Sequence, residues 1–123
     1  MYSTSARMAS VNPEAESAGV RLLLGDDYGA MGFPHGTYGA ELAVYVENAG
    51  IAPVDVMRWA TKHGAELLGM GEDLGTIEEG KLADLLVVDG DPSDDISLLA
   101  DPANLPAIVK DGTFVKDALA LAC

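Results

Sequence analysis

The hydrophobic positions of this chain fall into two textures, helical spacing in the first half and short β-type runs in the second. Between Val20 and Gly25 the apolar residues come almost in succession, broken only by Arg21, and the run stops at Asp26 and Asp27. A short continuous apolar run bounded by turn residues predicts a strand buried on both faces, as in a parallel sheet or barrel. Ahead of it, Asn12-Pro13-Glu14 offers a helix cap, a proline at the first helical position and an acidic first turn, with Gly19 as the stop. A glycine-rich loop follows, with Gly29, Gly32, Phe33, Pro34, His35 and Gly36. Tyr38, Leu42, Tyr45 and Ala49 then recur at helical spacing, which predicts a helix over Tyr38–Ala49 ended by Gly50. A second helix starts at Pro53 and carries the stripe Val56, Trp59, Ala60, His63 and Leu67, with Gly69 as its stop. Thr61 and Gly64 divide it, because glycine costs about 1 kcal/mol in a helix interior.

From Gly71 the pattern changes to strands at 75–77, 84–89, 107–110 and 113–116. Asp111-Gly112 between the last two predicts a hairpin, since a tight turn of type I′ needs positive φ at both central positions. Asp91-Pro92 and Asp101-Pro102 mark turns, with a short helix at 95–99. Four short strands fall short of the about seven that a self-sufficient sandwich uses.

Composition narrows the class. A chain of 123 residues is one domain's worth, and 49% hydrophobic content with 14 glycines describes a globular protein. The net charge of −13, from 7 basic and 20 acidic residues, excludes nucleic acid and anionic membranes as partners, since both need a basic footprint. No apolar run approaches the roughly 18 residues of a membrane span. Residues 1–10 lack the basic-then-apolar pattern of a secretory signal, so the cytoplasm is the expected compartment. The single cysteine, Cys123, excludes an internal disulfide and a multi-cysteine metal site.

The candidate chemistry lies at the end of the first strand. Carboxylates at the carboxyl end of a buried strand sit where α/β proteins build their sites, which singles out Asp27. The alternative is that Asp26 and Asp27 cap a turn. His35, in its Gly/Pro loop, is a candidate for substrate binding or metal, or else a loop histidine bonded to nearby backbone. His63, Trp59 and the tyrosines at helical spacing read as packed helix residues.

Several ordered segments resemble the C-terminal end of the metal-dependent amidohydrolase superfamily, in its imidazolonepropionase-like and prolidase-like branch. Gly25-Asp26-Asp27-Tyr28-Gly29 is similar to the Gly-Thr-Asp-Ala-Gly that ends barrel strand eight, and Phe33-Pro34-His35-Gly36 to the loop after it. Ala60–Gly69 resembles the helix that follows. Gly75-Thr76-Ile77-Glu78-Glu79-Gly80-Lys81-Leu82-Ala83-Asp84-Leu85 is similar to the Gly-x-Ile-x-x-Gly-Lys-x-Ala-Asp-Leu signature of the small β-domain, and Asp89–Pro92 and Val109–Gly112 continue the match. In that run Ile77, Leu82, Leu85 and Val87 are expected to pack the β-region and Lys81 to stay solvated.

The resemblance implies an α/β fold: the last βα unit of a TIM-like (β/α)8 barrel over residues 1–70, then part of a small β-sandwich domain over 71–123. The barrel is incomplete, since a whole one takes about 250 residues. It implies a hydrolase acting on carbon–nitrogen bonds of a small-molecule amide or lactam, with Asp27 as catalytic and metal-binding residue and a divalent metal, zinc, in the complete enzyme; His35, from its place in the loop, is the candidate substrate contact. Asp26 departs from the small or hydroxylated residue usual there, and a neighbouring like charge raises a carboxylate's pKa. The chain has no His-x-His pair and only His35 and His63, whereas a hydrolytic zinc site needs about three protein ligands. The isolated chain is therefore expected to be inactive. A second reading makes it a non-catalytic assembly module that pairs with a second copy or a partner chain through strand edges. A third, a small metal- or ligand-binding protein using Asp26, Asp27 and His35, needs more ligands than the chain offers.

Overall fold

The computed structural model describes residues 14–25, 35, 36 and 38–119. Expectations that fall on Asn12, Pro13, Asp26, Asp27, residues 29–34 and Cys123 lie outside the described residues. A helical turn at 14–17 leads into an extended segment over 20–25. Helix α1 spans Tyr38–Ala49. Helix α2, Pro53–Arg58, continues through a π-helical turn, Trp59–His63, into α3, Gly64–Leu67. The division expected at Thr61 and Gly64 thus takes the form of one wide turn inside a continuous helix, a device that inserts a residue without breaking the rod.

The second half forms a three-stranded antiparallel sheet in the order β1 (Leu85–Val87), β2 (Ala107–Lys110), β3 (Thr113–Asp117). Ile108 faces Lys116 while Val109 faces Phe114, so Val115 is the extra residue of a bulge. Asp111 and Gly112 take φ of 49° and 73°, the double positive φ that the hairpin turn requires. The Asp91-Pro92 turn is closed by the Asp91 carboxylate, which accepts from the Ser93 amide and hydroxyl at 2.8 and 2.6 Å. The expected short helix is a 3-10 turn, Ile96–Ala100, capped by Asp95, and Asp101-Pro102 opens a second, Pro102–Asn104.

The core sits where α1 and the α2–α3 rod meet the extended segment and the first 3-10 turn. Leu42, Ala49, Ile51, Val56, Trp59 and Ile96 form it, with Leu22, Leu24, Tyr45 and Leu99 packed against it. Val56 is fully enclosed and Trp59 is 2% exposed. Tyr45 meets the Trp59 ring edge-on at 6.0 Å, an arrangement worth about 0.5–1.5 kcal/mol beyond area burial.

Three packing expectations change. The 20–25 segment has its two faces in different surroundings: Leu22 and Leu24 turn inward, whereas Val20 is 53% exposed and Leu23 is also open. It makes no ladder with another strand among the described residues, so its apolar character on the second face is not used within them. Residues 75–77 make a bend and not a strand, and of the side chains expected to pack the β-region Ile77 is 88% exposed and Leu82 and Val87 are also open, whereas Leu85 is half-buried. Leu67 is 66% exposed while Ala65 is buried, since the loop at Gly75 packs on the Ala65 side of the rod.

Candidate functional site

The extended segment 20–25 precedes the two carboxylates in sequence, and side chains of the rod contact it and the helical turn before it. The His63 Nδ1 lies 2.6 Å from the Leu22 carbonyl oxygen. A carbonyl only accepts, so Nδ1 carries the hydrogen and donates it. The Trp59 Nε1 donates to the Glu16 carboxylate at 2.8 Å, and the Arg21 guanidinium donates to Glu66 at 2.6 Å. The Arg21 side chain is largely exposed, and such surface pairs contribute about 0–1 kcal/mol, so the two part-buried ring contacts dominate.

His35 stands at the edge of a cavity of about 320 Å3 without lining it. Its Nδ1 lies 2.8 Å from the Tyr38 hydroxyl, with the rings tilted at 58°. Tyr38 and Gly36 do line the cavity, together with Leu24, Leu42, Leu86 and Glu41. Apolar walls from the extended segment, α1 and β1 with two polar groups on α1 suit a small, mostly apolar moiety. His35 is exposed, and among the described residues the structure brings it together with Tyr38.

Among the described residues, no three His, Cys, Asp or Glu side chains converge so that they could hold a metal ion. Asp26 and Asp27 lie outside them. The described part of the chain therefore does not fit a hydrolytic metal site by itself. Among the described residues, no helix is long and apolar enough to cross a membrane.

The glycine-rich run before the sheet is held by its lysine. Contrary to expectation, the Lys81 side chain is only 14% exposed. Its Nζ donates to the Gly71 carbonyl at 2.7 Å and to the Thr76 hydroxyl at 2.6 Å, and that hydroxyl donates to Glu78 at 2.6 Å. The hydroxyl and the Lys81 charge hold the Glu78 carboxyl below its ordinary pKa. Asp84 does the same for the hairpin: it accepts from Lys110 Nζ and from the Asp111 amide at 2.7 Å, which lowers its pKa. Sequence reasoning missed both links. The available signal was the polar spacing Thr76, Glu78, Lys81 in an otherwise apolar and glycine-rich run.

A model of the amidohydrolase family matches residues 4–115, nearly the whole chain. The chain belongs to the amidohydrolase family. Among curated members, ochratoxinase from Aspergillus niger is 30% identical over 103 residues, 83% of this chain and 21% of that protein. Among solved structures, a Xaa-Pro dipeptidase with bound methionine in its active site superposes with a TM-score of 0.74 at 37% identity, over 88% of this chain and 25% of that one. A prolidase complexed with N-methylphosphonate-L-proline gives 0.74 at 33% identity, over 89% and 26%. This amidohydrolase chain thus spans about a fifth to a quarter of the relatives it matches.

Proposed function

We propose that this chain supplies the last barrel stave and the following β-domain of a metal-dependent amidohydrolase that cleaves a carbon–nitrogen bond in a small amide, lactam or dipeptide. The observation that carries the proposal is the family match across residues 4–115, which runs from the stave through the Lys81 and Asp84 links. In this reading Asp27 is the stave's metal-binding and proton-handling carboxylate, and His35, paired with Tyr38, contacts substrate. A divalent metal such as zinc, held in the complete enzyme, would supply an activated water, since zinc lowers the pKa of bound water to about 7. The other metal ligands would come from the part of the relatives' length, about three-quarters, that this chain does not span.

A chimera tests this: the chain replaces the last quarter of a prolidase-type relative, with folding checked by circular dichroism. Zinc-dependent hydrolysis of the relative's own substrate, lost in Asp27→Asn, is the expected result. Hydrolysis that survives Asp27→Asn overturns it. The chain alone, given zinc, is expected to hydrolyse neither amides nor lactams.

The open face of the stave supports a second reading, in which the chain pairs with a second copy or a partner chain. Val20 and Leu23 on that face, and Leu86 and Phe114 on the sheet, are exposed apolar side chains. Light scattering is expected to show self-association; a monomer that melts cooperatively argues against this.

A further inference from the structure

The second half of the chain reaches into the core of the first. Ile96, on the 3-10 turn Ile96–Ala100, is 4% exposed because it sits among Leu42, Val56 and Trp59. Gly39 lies three residues before Leu42, on the same face of α1, and meets the same turn. A Cβ built on Gly39 would overlap the Leu99 carbonyl oxygen outright, and would stand 2.6 Å from the Leu99 carbonyl carbon and 3.1 Å from the Ala100 Cα. These are backbone atoms, so nothing there can swing aside as a side-chain tip could. The turn is also capped at its start, where the Asp95 carboxylate accepts from the Ser97 amide at 3.0 Å and from the Ser97 hydroxyl at 2.6 Å.

The residue next to Gly39 is Tyr38, which begins α1 and whose hydroxyl lies 2.8 Å from the His35 Nδ1. His35 is exposed, so its ring gains little restraint from packing and the bond to Tyr38 orients it. Tyr38, Gly39, Leu99 and Ala100 line one cavity, with His35 at its edge. We propose that Gly39 is a positioning residue: by leaving room for the Leu99 backbone it lets the 3-10 turn of the β-domain seat the first turn of α1, and so fixes where Tyr38 holds His35. A methyl group at Gly39 would push that first turn off Leu99 and carry Tyr38 with it, and a displacement of about 1 Å takes a 2.8 Å contact out of hydrogen-bond range. The kinetic consequence rests on the reading of His35 as the substrate contact; the structural consequence does not.

Ring-nitrogen shifts of His35 on the intact chain, whose other histidine is His63, read the Tyr38 bond directly. Tyr38→Phe deletes the hydroxyl and should move the His35 Nδ1 resonance. Gly39→Ala should move it too, and adding Gly39→Ala to Tyr38→Phe should move it no further, because both act through one bond. Gly75→Ala is the control: its Cβ would crowd the Ala65 Cβ at 2.6 Å, elsewhere on the rod, and should leave Nδ1 where it is. Where Gly39→Ala does not fold, Asp95→Ala releases the cap of the turn without altering α1 and should move the same resonance. In the chimera, Gly39→Ala should raise KM about tenfold with kcat unchanged, the scale of one hydrogen bond made equally in the ground and transition states. An unmoved Nδ1 in Gly39→Ala or, where that variant does not fold, in Asp95→Ala overturns the proposal. So does an equal shift in Gly75→Ala, or a further shift in the double variant. A shifted Nδ1 with KM unchanged leaves the positioning standing and removes the assignment of His35 as substrate contact instead.

Discussion

Replacing Gly75 with alanine tests how the glycine-rich run docks on the rod. Gly75 takes φ of +93°, and a Cβ built there would stand 2.6 Å from the Ala65 Cβ, 3.0 Å from the Thr61 carbonyl oxygen and 3.2 Å from the Lys62 Cα. Two costs add. The left-handed backbone costs an L-residue roughly 1–2 kcal/mol, and forcing a methyl into occupied space costs about 1–3 kcal/mol. Gly80 separates them, because its φ is +91° and nothing lies within 4 Å of its Cβ position. Gly75→Ala should therefore lose about 2–5 kcal/mol, and Gly80→Ala only about 1–2 kcal/mol. Urea unfolding followed by circular dichroism reads both, with the slope checked for a constant extent of unfolding. Equal losses in the two variants would refute the packing argument, leaving backbone strain as the whole effect.

Lys81→Met keeps the aliphatic stem but leaves the Gly71 carbonyl and Thr76 hydroxyl without their cation, and should cost about 1–3 kcal/mol in the same assay. Trp59→Phe keeps most of the ring and deletes the donor to Glu16; a bond to a charged group is worth about 1.5–3 kcal/mol, and hydrogen exchange should rise at Ala18–Val20, the amides that close the turn. Asp84 has a folded pKa below its ordinary 3.8, chiefly because Lys110 and then the Asp111 amide donate to it. Its contribution is present above the ordinary carboxylate range and is lost as pH falls through the lowered value, so the 107–117 hairpin should loosen below about pH 4. Asp84→Asn should flatten that dependence, read from Thr113–Asp117 amide shifts against pH; an unchanged acid profile would exclude Asp84 as the cause.

Local rules carried much of the architecture. Tyr38–Ala49 is legible because a helix stripe and a terminal glycine agree, and the β2–β3 hairpin because Asp111-Gly112 tolerates the turn's dihedrals. What escaped depends on contacts distant in sequence. Nothing near Ile77 says that the sheet will stop short of it, and nothing near Lys81 says that the Gly71 carbonyl will curl back to accept its hydrogen bond. His63 reads as a packed helix residue from its stripe, and only the approach of Leu22, 41 positions earlier, makes it a donor. The two faces of the stave could not be told apart either, since an apolar run does not say which neighbours cover it. Asp27 is singled out as a candidate only by its place at the end of that run, and it lies outside the described residues.

The most direct test of the central claim is zinc-edge anomalous diffraction from crystals of the zinc-loaded chimera. An Asp27 carboxylate oxygen about 2.0–2.2 Å from the ion is the result predicted. Zinc held entirely by other residues, with the Asp27 side chain directed away from it, would contradict the claim.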